Sequence, residues 1–221
     1  MKPHVKICGI TRLEDADRAL ALGAEFIGLN FYPPSPRSID LDRAVQLRRH
    51  VGDRARVVGV FVNHDAAAVA GIAARVGLDL LQFHGDEGPL ELEPHAARAI
   101  KVFRVAGALP NDEVARFAQT WGLLFDSARG GGQASGPASF ENYGGTGSSW
   151  SWDTVGSLPA GRRVFVAGGI RPDNVARLLA RLSPWGIDVN SGVEAAPGRK
   201  DPELLERLFE EISHGQIASA S

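Results

Sequence analysis

Short apolar runs alternate along the chain with longer amphipathic stretches. The runs Val5–Cys8, Phe26–Asn30, Val57–Phe61, Leu78–Gln82, Ala99–Arg104, Leu123–Asp126, Arg163–Ala167 and Gly186–Val189 have the length and composition of buried strands. Between them, Leu13–Leu22, Leu41–Arg49, Asp65–Val76, Leu90–Ala97, Asp112–Thr120, Arg171–Arg181 and Pro202–Ser213 carry helical spacing, several opened by Asp or Pro in start positions. Eight strands, each followed by a connection that is mostly helical, predict an α/β chain folded as a single eight-stranded parallel βα (TIM) barrel. The catalytic domain is expected over residues 1–213. The remainder, 214–221, is polar and rich in small residues and is expected to be a flexible C-terminal tail.

One connection breaks the rhythm. Between Asp126 and Val164 a glycine- and serine-rich stretch, from Ala128 through Gly136-Pro137 to Gly144-Gly145-Thr146-Gly147, stands where a helix is due. A connection of that length is usually functional or disordered, and this one leaves a strand end, so a mobile loop over the barrel mouth is expected. An exposed insertion of no consequence is the competing reading of its first part. Gly144–Gly147 fits that reading less well, because glycines let backbone N–H groups approach an anion.

A length of 221 residues suits one barrel domain, since α/β barrels exceed the usual domain size without splitting. Hydrophobic residues make up 44% and charged residues 23%, ordinary globular usage that points away from disorder and from a membrane protein. The net charge of −2, with Lys and Arg scattered, offers nucleic acid no basic face, so the expected ligand is small. The first residues run directly into a short strand pattern without a signal-peptide apolar core, and no stretch has the length to cross a bilayer, which together predict a cytoplasmic protein. Oligomeric state is open between monomer and homodimer.

Barrel enzymes keep their chemistry at the C-terminal ends of strands, and two chemically active residues fall there. Cys8 ends the first run and Asp126 the sixth, a thiol and a carboxyl that can serve as base and acid. Cys8 is the only cysteine, so no intrachain disulfide forms; taken alone, it is more readily a small buried hydrophobe than a reactive group. The glycine pairs Gly168-Gly169 and the turn Ser191-Gly192 follow strands seven and eight, whose loops commonly build a phosphate site from backbone donors, and a phosphorylated substrate follows. Three prolines stiffen the loop that carries Arg37, whose guanidinium can hold a carboxylate bidentately or simply be solvated. His84 and Asp86 follow strand four; helix capping explains Asp86 equally well. The six histidines show no close-spaced ligand pair, so a metal site has little support.

Lys6-Ile7-Cys8-Gly9-Ile10-Thr11, Ser35-Pro36-Arg37, Gln82-Phe83-His84-Gly85, Phe125-Asp126, Gly144-Gly145-Thr146-Gly147, Ala167-Gly168-Gly169-Ile170 and Asp188-Val189-Asn190-Ser191-Gly192-Val193-Glu194 through Lys200-Asp201 resemble, in order, the motifs of the phosphoribosylanthranilate isomerase family of tryptophan biosynthesis. The resemblance covers nearly the whole chain. It implies an Amadori rearrangement without a cofactor, in which Asp126 protonates the furanose ring oxygen and Cys8 removes the C2′ proton. It further implies that Arg37 holds the anthranilate carboxylate and that Gly145, Thr146, Gly147, Gly168, Gly169, Ser191 and Gly192 hold the phosphate. His84 and Asp188 complete the substrate-binding set, Asp188 towards the amine or a ribose hydroxyl. Asn190 departs from the serine often found before Ser191, and of Trp150-Ser151-Trp152 only Trp152 matches cleanly. An indole-glycerol-phosphate synthase, a sugar-phosphate epimerase and a non-catalytic phosphosugar sensor are the competing readings, and none of them needs both Cys8 and Asp126.

The chemistry sets demands on these groups. An aspartic acid would have to climb from about 3.9 to near 7 to be half protonated at neutral pH, roughly 4 kcal/mol of differential stabilisation. A thiol of pKa about 8.5 is only a few per cent thiolate at pH 7 unless a positive neighbour lowers it. Lys6, two residues back on the same strand face, is the candidate neighbour, although an interior lysine paired for structural reasons fits the pattern as well.

Overall fold

The computed structural model describes residues 2–105, 107–127 and 155–218. Eight parallel strands, β1 (His4–Ile7), β2 (Phe26–Asn30), β3 (Arg56–Phe61), β4 (Leu80–Phe83), β5 (Ala99–Val105), β6 (Gly122–Ser127), β7 (Val164–Val166) and β8 (Gly186–Val189), close in chain order into a barrel. The helices are α1 (Leu13–Leu22), α2 (Leu41–Val51), α3 (Ala66–Val76), α4 (Pro89–Leu92), α5 (Asn111–Ala115), α6 (Pro172–Leu182) and α7 (Pro202–Ala218). A two-stranded hairpin, β9 (Glu194–Ala196) and β10 (Arg199–Lys200), leads from β8 into α7. The eight-stranded parallel barrel expected from the hydrophobic pattern is the fold observed.

Strand alternation sorts the side chains into two cores. Ile7, Ile27, Val57, Leu81, Leu123, Phe125, Val166 and Ile187 point outward and pack beneath the helices. Phe26, Val58, Leu80, Ile100, Val102, Leu124, Phe165 and Ala167 fill the barrel itself. Trp121 and Trp185, just before β6 and β8, meet edge-on at 5.5 Å, and Trp185 meets Phe165 at 5.1 Å, so aromatic rings floor the N-terminal end. Further up, the inward positions of several strands turn polar, at Asn30, Gln82, Arg104, Asp126 and Asp188, which prepares the opposite end for chemistry.

Helix starts follow local hydrogen bonding. Asp40 accepts from Arg43 N at 2.7 Å ahead of α2, Asp65 from Ala68 N at 2.8 Å ahead of α3, and Asp201 from Glu203 N at 2.9 Å ahead of α7. The fourth helical stretch differs from the expected Leu90–Ala97. After one turn of α4 the chain tightens into a 3₁₀ segment, Glu93–Arg98, because Pro94 has no N–H for the α-helical ladder. The fifth helix is shorter than Asp112–Thr120, giving way to turns after Ala115. The last helix runs past Ser213 to Ala218, further than the sequence pattern indicates. The glycine-rich stretch from Ala128 through Trp152, including Gly145, Thr146 and Gly147, lies outside the described residues.

His95, in the 3₁₀ segment, is buried with its ring stacked on Phe83, and Nε2 has no partner. Burial, seconded by Arg98, pulls its pKa below the ordinary histidine range against an opposing hydrogen bond with the Ala66 backbone. The unfolded chain therefore binds this proton more readily, so the stability that neutral His95 contributes is complete above about pH 6.5 and is lost as pH falls towards the folded-state pKa. Denaturant titrations at pH 7 and pH 5 should show a smaller pH-dependent loss in His95→Gln than in the wild type; equal losses would remove His95 from the explanation.

Candidate active site

At the mouth the inward-facing side chains change character. β1 continues into Cys8, whose backbone N–H donates to Val189 O at 2.9 Å, so the thiol sits one residue past the strand end beside β8. Lys6, below it, is fully buried and donates from Nζ to Asp188 Oδ1 at 2.9 Å; the β1–β8 register sets these two residues side by side. Gly28 on β2 makes room for both. A Cβ there would lie 2.8 Å from Cys8 Sγ and 3.1 Å from Lys6 Nζ, so no larger residue fits without moving them.

Lys6 feels burial most strongly, which disfavours its charge, but Asp188 and Cys8 together outweigh it and hold its pKa above the ordinary lysine value. Cys8 is governed by burial in the other direction. Burial pushes the thiol up, and neither Lys6 nor the more distant Lys200 reverses that. Lys6 is thus the cationic neighbour that the two-residue spacing predicts, yet without substrate the thiol keeps its proton at neutral pH.

Asp126, near the end of β6, is separated from Cys8 by β7 and β8 around the barrel, which puts the two groups on different sides of the mouth. His84 Nε2 lies 3.4 Å from Asp126 Oδ2 without the alignment of a hydrogen bond, and Gln82 Nε2 is 3.4 Å from His84 Nδ1. The loop carrying His84 is held from behind. Lys101 donates to Gly85 O at 2.8 Å and Glu87 at 3.2 Å, while Glu87 accepts from Asn63 N at 2.7 Å. Asp86 caps no helix; it accepts from Arg104 Nη2 at 2.5 Å. Arg104 shares the inward face of β5 and pairs in register with Asp126, a mouth residue not read from the sequence.

The two glycine turns meet. Gly168 and Gly169 have φ of 90° and 64°, left-handed values that favour glycine. A Cβ on Gly168 would lie 2.6 Å from Ser127 N, and one on Gly192 would lie 1.8 Å from Ile170 O. The backbone after β7 is therefore flush against both the end of β6, where the Ser127 side chain also abuts it, and the Ser191–Val193 turn. Asn174 fastens this junction to α6, accepting from Arg171 N and donating to Gly169 O, each at 2.8 Å.

Arg37 is neither solvated nor open on every edge. It is buried, with Nε 3.0 and 3.1 Å from the two Glu194 carboxylate oxygens and Nη2 2.6 Å from Oε2. Lys200 completes the group, donating to Glu194 Oε1 at 2.9 Å and to Asn190 O and Oδ1 at 3.1 and 3.0 Å. The Asn190 side chain is thereby engaged with Lys200. Burial opposes the charge on Glu194, but Arg37 and Lys200 prevail and hold its carboxyl below the usual range. Glu194 and Lys200 stand in the sequence motifs without an assigned role; Lys200 bonds residues six and ten positions away, but the Arg37 that gives the pair its place at the mouth lies 157 residues from Glu194.

Among the described residues no group of three His, Cys, Asp or Glu side chains is placed to hold a metal ion, and no helix is long and apolar enough to cross a membrane. A closed parallel barrel with a thiol, paired carboxylates and bare backbone turns gathered at its C-terminal mouth defines a TIM-barrel enzyme. The family model for N-(5′-phosphoribosyl)anthranilate isomerase matches residues 5–211. The isomerase of Citrifermentans bemidjiense is 42% identical over 207 residues, covering 94% of this chain and 95% of its own. The crystal structure of the phosphoribosyl anthranilate isomerase of Thermus thermophilus superposes with a TM-score of 0.79 at 34% identity, over 96% of this chain and 98% of that one. A further isomerase structure, in complex with reduced 1-(o-carboxyphenylamino)-1-deoxyribulose 5-phosphate, gives 0.75 at 27% identity, over 96% and 99%. The chain belongs to the N-(5′-phosphoribosyl)anthranilate isomerase family.

The single cysteine lets the thiolate be titrated by its ultraviolet absorbance, read as the difference between the wild type and Cys8→Ser so that the two tyrosines cancel. Its midpoint should lie above the ordinary thiol value of about 8.5, and Lys6→Met should move it higher still. A midpoint that ignores Lys6→Met would contradict the electrostatic coupling. Gly28→Ala should fold yet lose much of its turnover through displacement of Cys8 and Lys6, with circular dichroism and steady-state rates as the paired readouts.

Proposed function

We propose that this chain converts N-(5′-phosphoribosyl)anthranilate to 1-(2-carboxyphenylamino)-1-deoxyribulose 5-phosphate in tryptophan biosynthesis, with Asp126 as general acid and Cys8 as general base. The observation that carries the reading is family membership across nearly the whole chain. The gathering of these two groups at one mouth and the relative solved with the reduced product support it.

Asp126 gives its proton to the furanose ring oxygen. The C1′–O bond breaks while the nitrogen lone pair closes a C1′=N bond, leaving an open-chain protonated Schiff base. Cys8, having released its thiol proton to solvent, takes the C2′ proton as thiolate; the released pair forms C1′=C2′ and neutralises the nitrogen, and Asp126 regains its proton from solvent before the next turnover. The enolamine then moves its hydroxyl proton to C1′ and becomes the ketone. Lys6 keeps its ammonium beside the thiol throughout, and the Schiff-base cation adds a second positive charge as the base is required, working against the burial that otherwise keeps Cys8 protonated.

Substrate binding divides among the remaining groups. Gly168, Gly169, Ser191 and Gly192, with Gly145, Thr146 and Gly147 outside the described residues, hold the phosphate through backbone N–H groups. Asp188, whose Oδ1 already accepts from Lys6, turns its other oxygen to the amine or a ribose hydroxyl. Arg37 meets the anthranilate carboxylate through Nη1, which makes no hydrogen bond among the described residues. His84 contacts the substrate beside Asp126. One domain over residues 1–213 performs this as a cytoplasmic enzyme, acting on a small phosphorylated molecule without a cofactor.

Phosphoribosylanthranilate, generated in place from anthranilate and the activated ribose phosphate, can be followed by its fluorescence. The wild type should consume it rapidly, and Cys8→Ala and Asp126→Asn should each lower kcat by about 10² to 10⁴ with little change in KM. Normal turnover by either variant removes that residue from its role, and no consumption by folded wild-type protein reopens the substrate.

A further inference from the structure

The Arg37 and Lys200 side chains are each bonded to Glu194, all three are more than nine-tenths buried, and together they sum to one net positive charge. Asp15, a further buried carboxylate, accepts from the Lys200 backbone N–H at 3.0 Å and feels the Lys200 charge from a greater distance than Glu194 does, without a side-chain bond to it. All three ammonium donors of Lys200 are used on Glu194 and Asn190, so Lys200 has none to offer a ligand. The cluster borders the loop of the thiol, since a Cβ on Gly9 would lie 2.8 Å from Arg37 Cδ and 2.7 Å from Asn190 Oδ1.

A guanidinium paired edge-on with a carboxylate is nearly neutral to a third charge, because attraction and repulsion reach it from similar distances. Such a pair alone would recognise an incoming carboxylate weakly. A second buried cation on the far side of Glu194 changes that balance. Resting on the reading of Arg37 as the residue that receives the substrate carboxylate, we propose that Glu194 and Lys200 are positioning residues for it. Glu194 fixes the guanidinium by its Nε–Nη2 edge, and Lys200 offsets the Glu194 charge so that Arg37 faces the substrate with its positive charge intact. The buried surplus of one positive charge matches a single carboxylate, which makes this cluster the element that selects a carboxylated ring.

The test compares the affinity of two reduced product analogues, the 2-carboxyphenylamino compound and its phenylamino counterpart, for wild type, Lys200→Met and the double variant Lys200→Met with Glu194→Gln. Turnover of phosphoribosylanthranilate by the wild type is measured alongside. The wild type should prefer the carboxylated analogue, and Lys200→Met should reduce that preference by about tenfold or more, leaving affinity for the phenylamino analogue nearly unchanged. The double variant, back to one net positive charge, should regain most of the preference. Equal losses on both analogues, or a double variant no better than the single one, would show a merely structural cluster and overturn the proposal. If Lys200→Met does not fold, Lys200→Gln, which removes the charge and keeps a donor for Asn190, replaces it in both variants. A wild type that isomerises the substrate but shows no preference overturns this inference alone; one that does not isomerise it overturns the functional reading beneath.

Discussion

Where β1 meets β8 the barrel closes on itself, and the buried pair of Lys6 with Asp188 sits on that seam. Either charge alone in the interior would be costly, and removing one partner of such a pair typically destabilises by about 3 to 5 kcal/mol. The pair therefore constrains closure as well as chemistry. It fixes the register in which Cys8 arrives beside β8, and it places an ammonium under the thiol. Packing alone would be better served by apolar residues there, so the polar choice is explained by the mouth above it rather than by the seam.

Three buried lysines recur in the same arrangement, each with one carboxylate, one fastening a strand seam and two fastening loops. Lys6 with Asp188 holds the seam; Lys101 with Glu87 locks the connections after β3 and β4 together around Asn63; Lys200 with Glu194 binds the hairpin after β8 to the loop of Arg37. These pairs stand behind or beneath the groups that line the mouth. Such support holds reacting groups in place before the substrate arrives, which is where much of the benefit of a positioned site originates.

The strands and most helices were legible because a buried parallel strand and an amphipathic helix leave different periodicities, and β2, β8 and α1 have the bounds that the pattern indicates. Pro94 was equally visible, yet its local tightening of the chain is not a matter of periodicity. Cys8 and Asp126 stood out because chemistry sits at strand ends, and Lys6 because side chains two apart on a strand share a face. Gly28 was harder to read. A strand glycine has several meanings until the neighbouring side chains are known. Glu194 was beyond such reasoning, since its value comes from Arg37, 157 residues earlier, and from no local pattern.

The aromatic floor made by Phe26, Phe165, Trp121 and Trp185 turns the barrel into a blind well. Solvent reaches the polar layer from above, so a molecule seated in the mouth displaces the water over the whole layer in one event. The permittivity felt by Lys6 and Asp188 then drops together, and the two charges act on each other and on the thiol above them with greater force than in the open mouth. The rings furthest from the mouth thus leave it a single face through which water can leave.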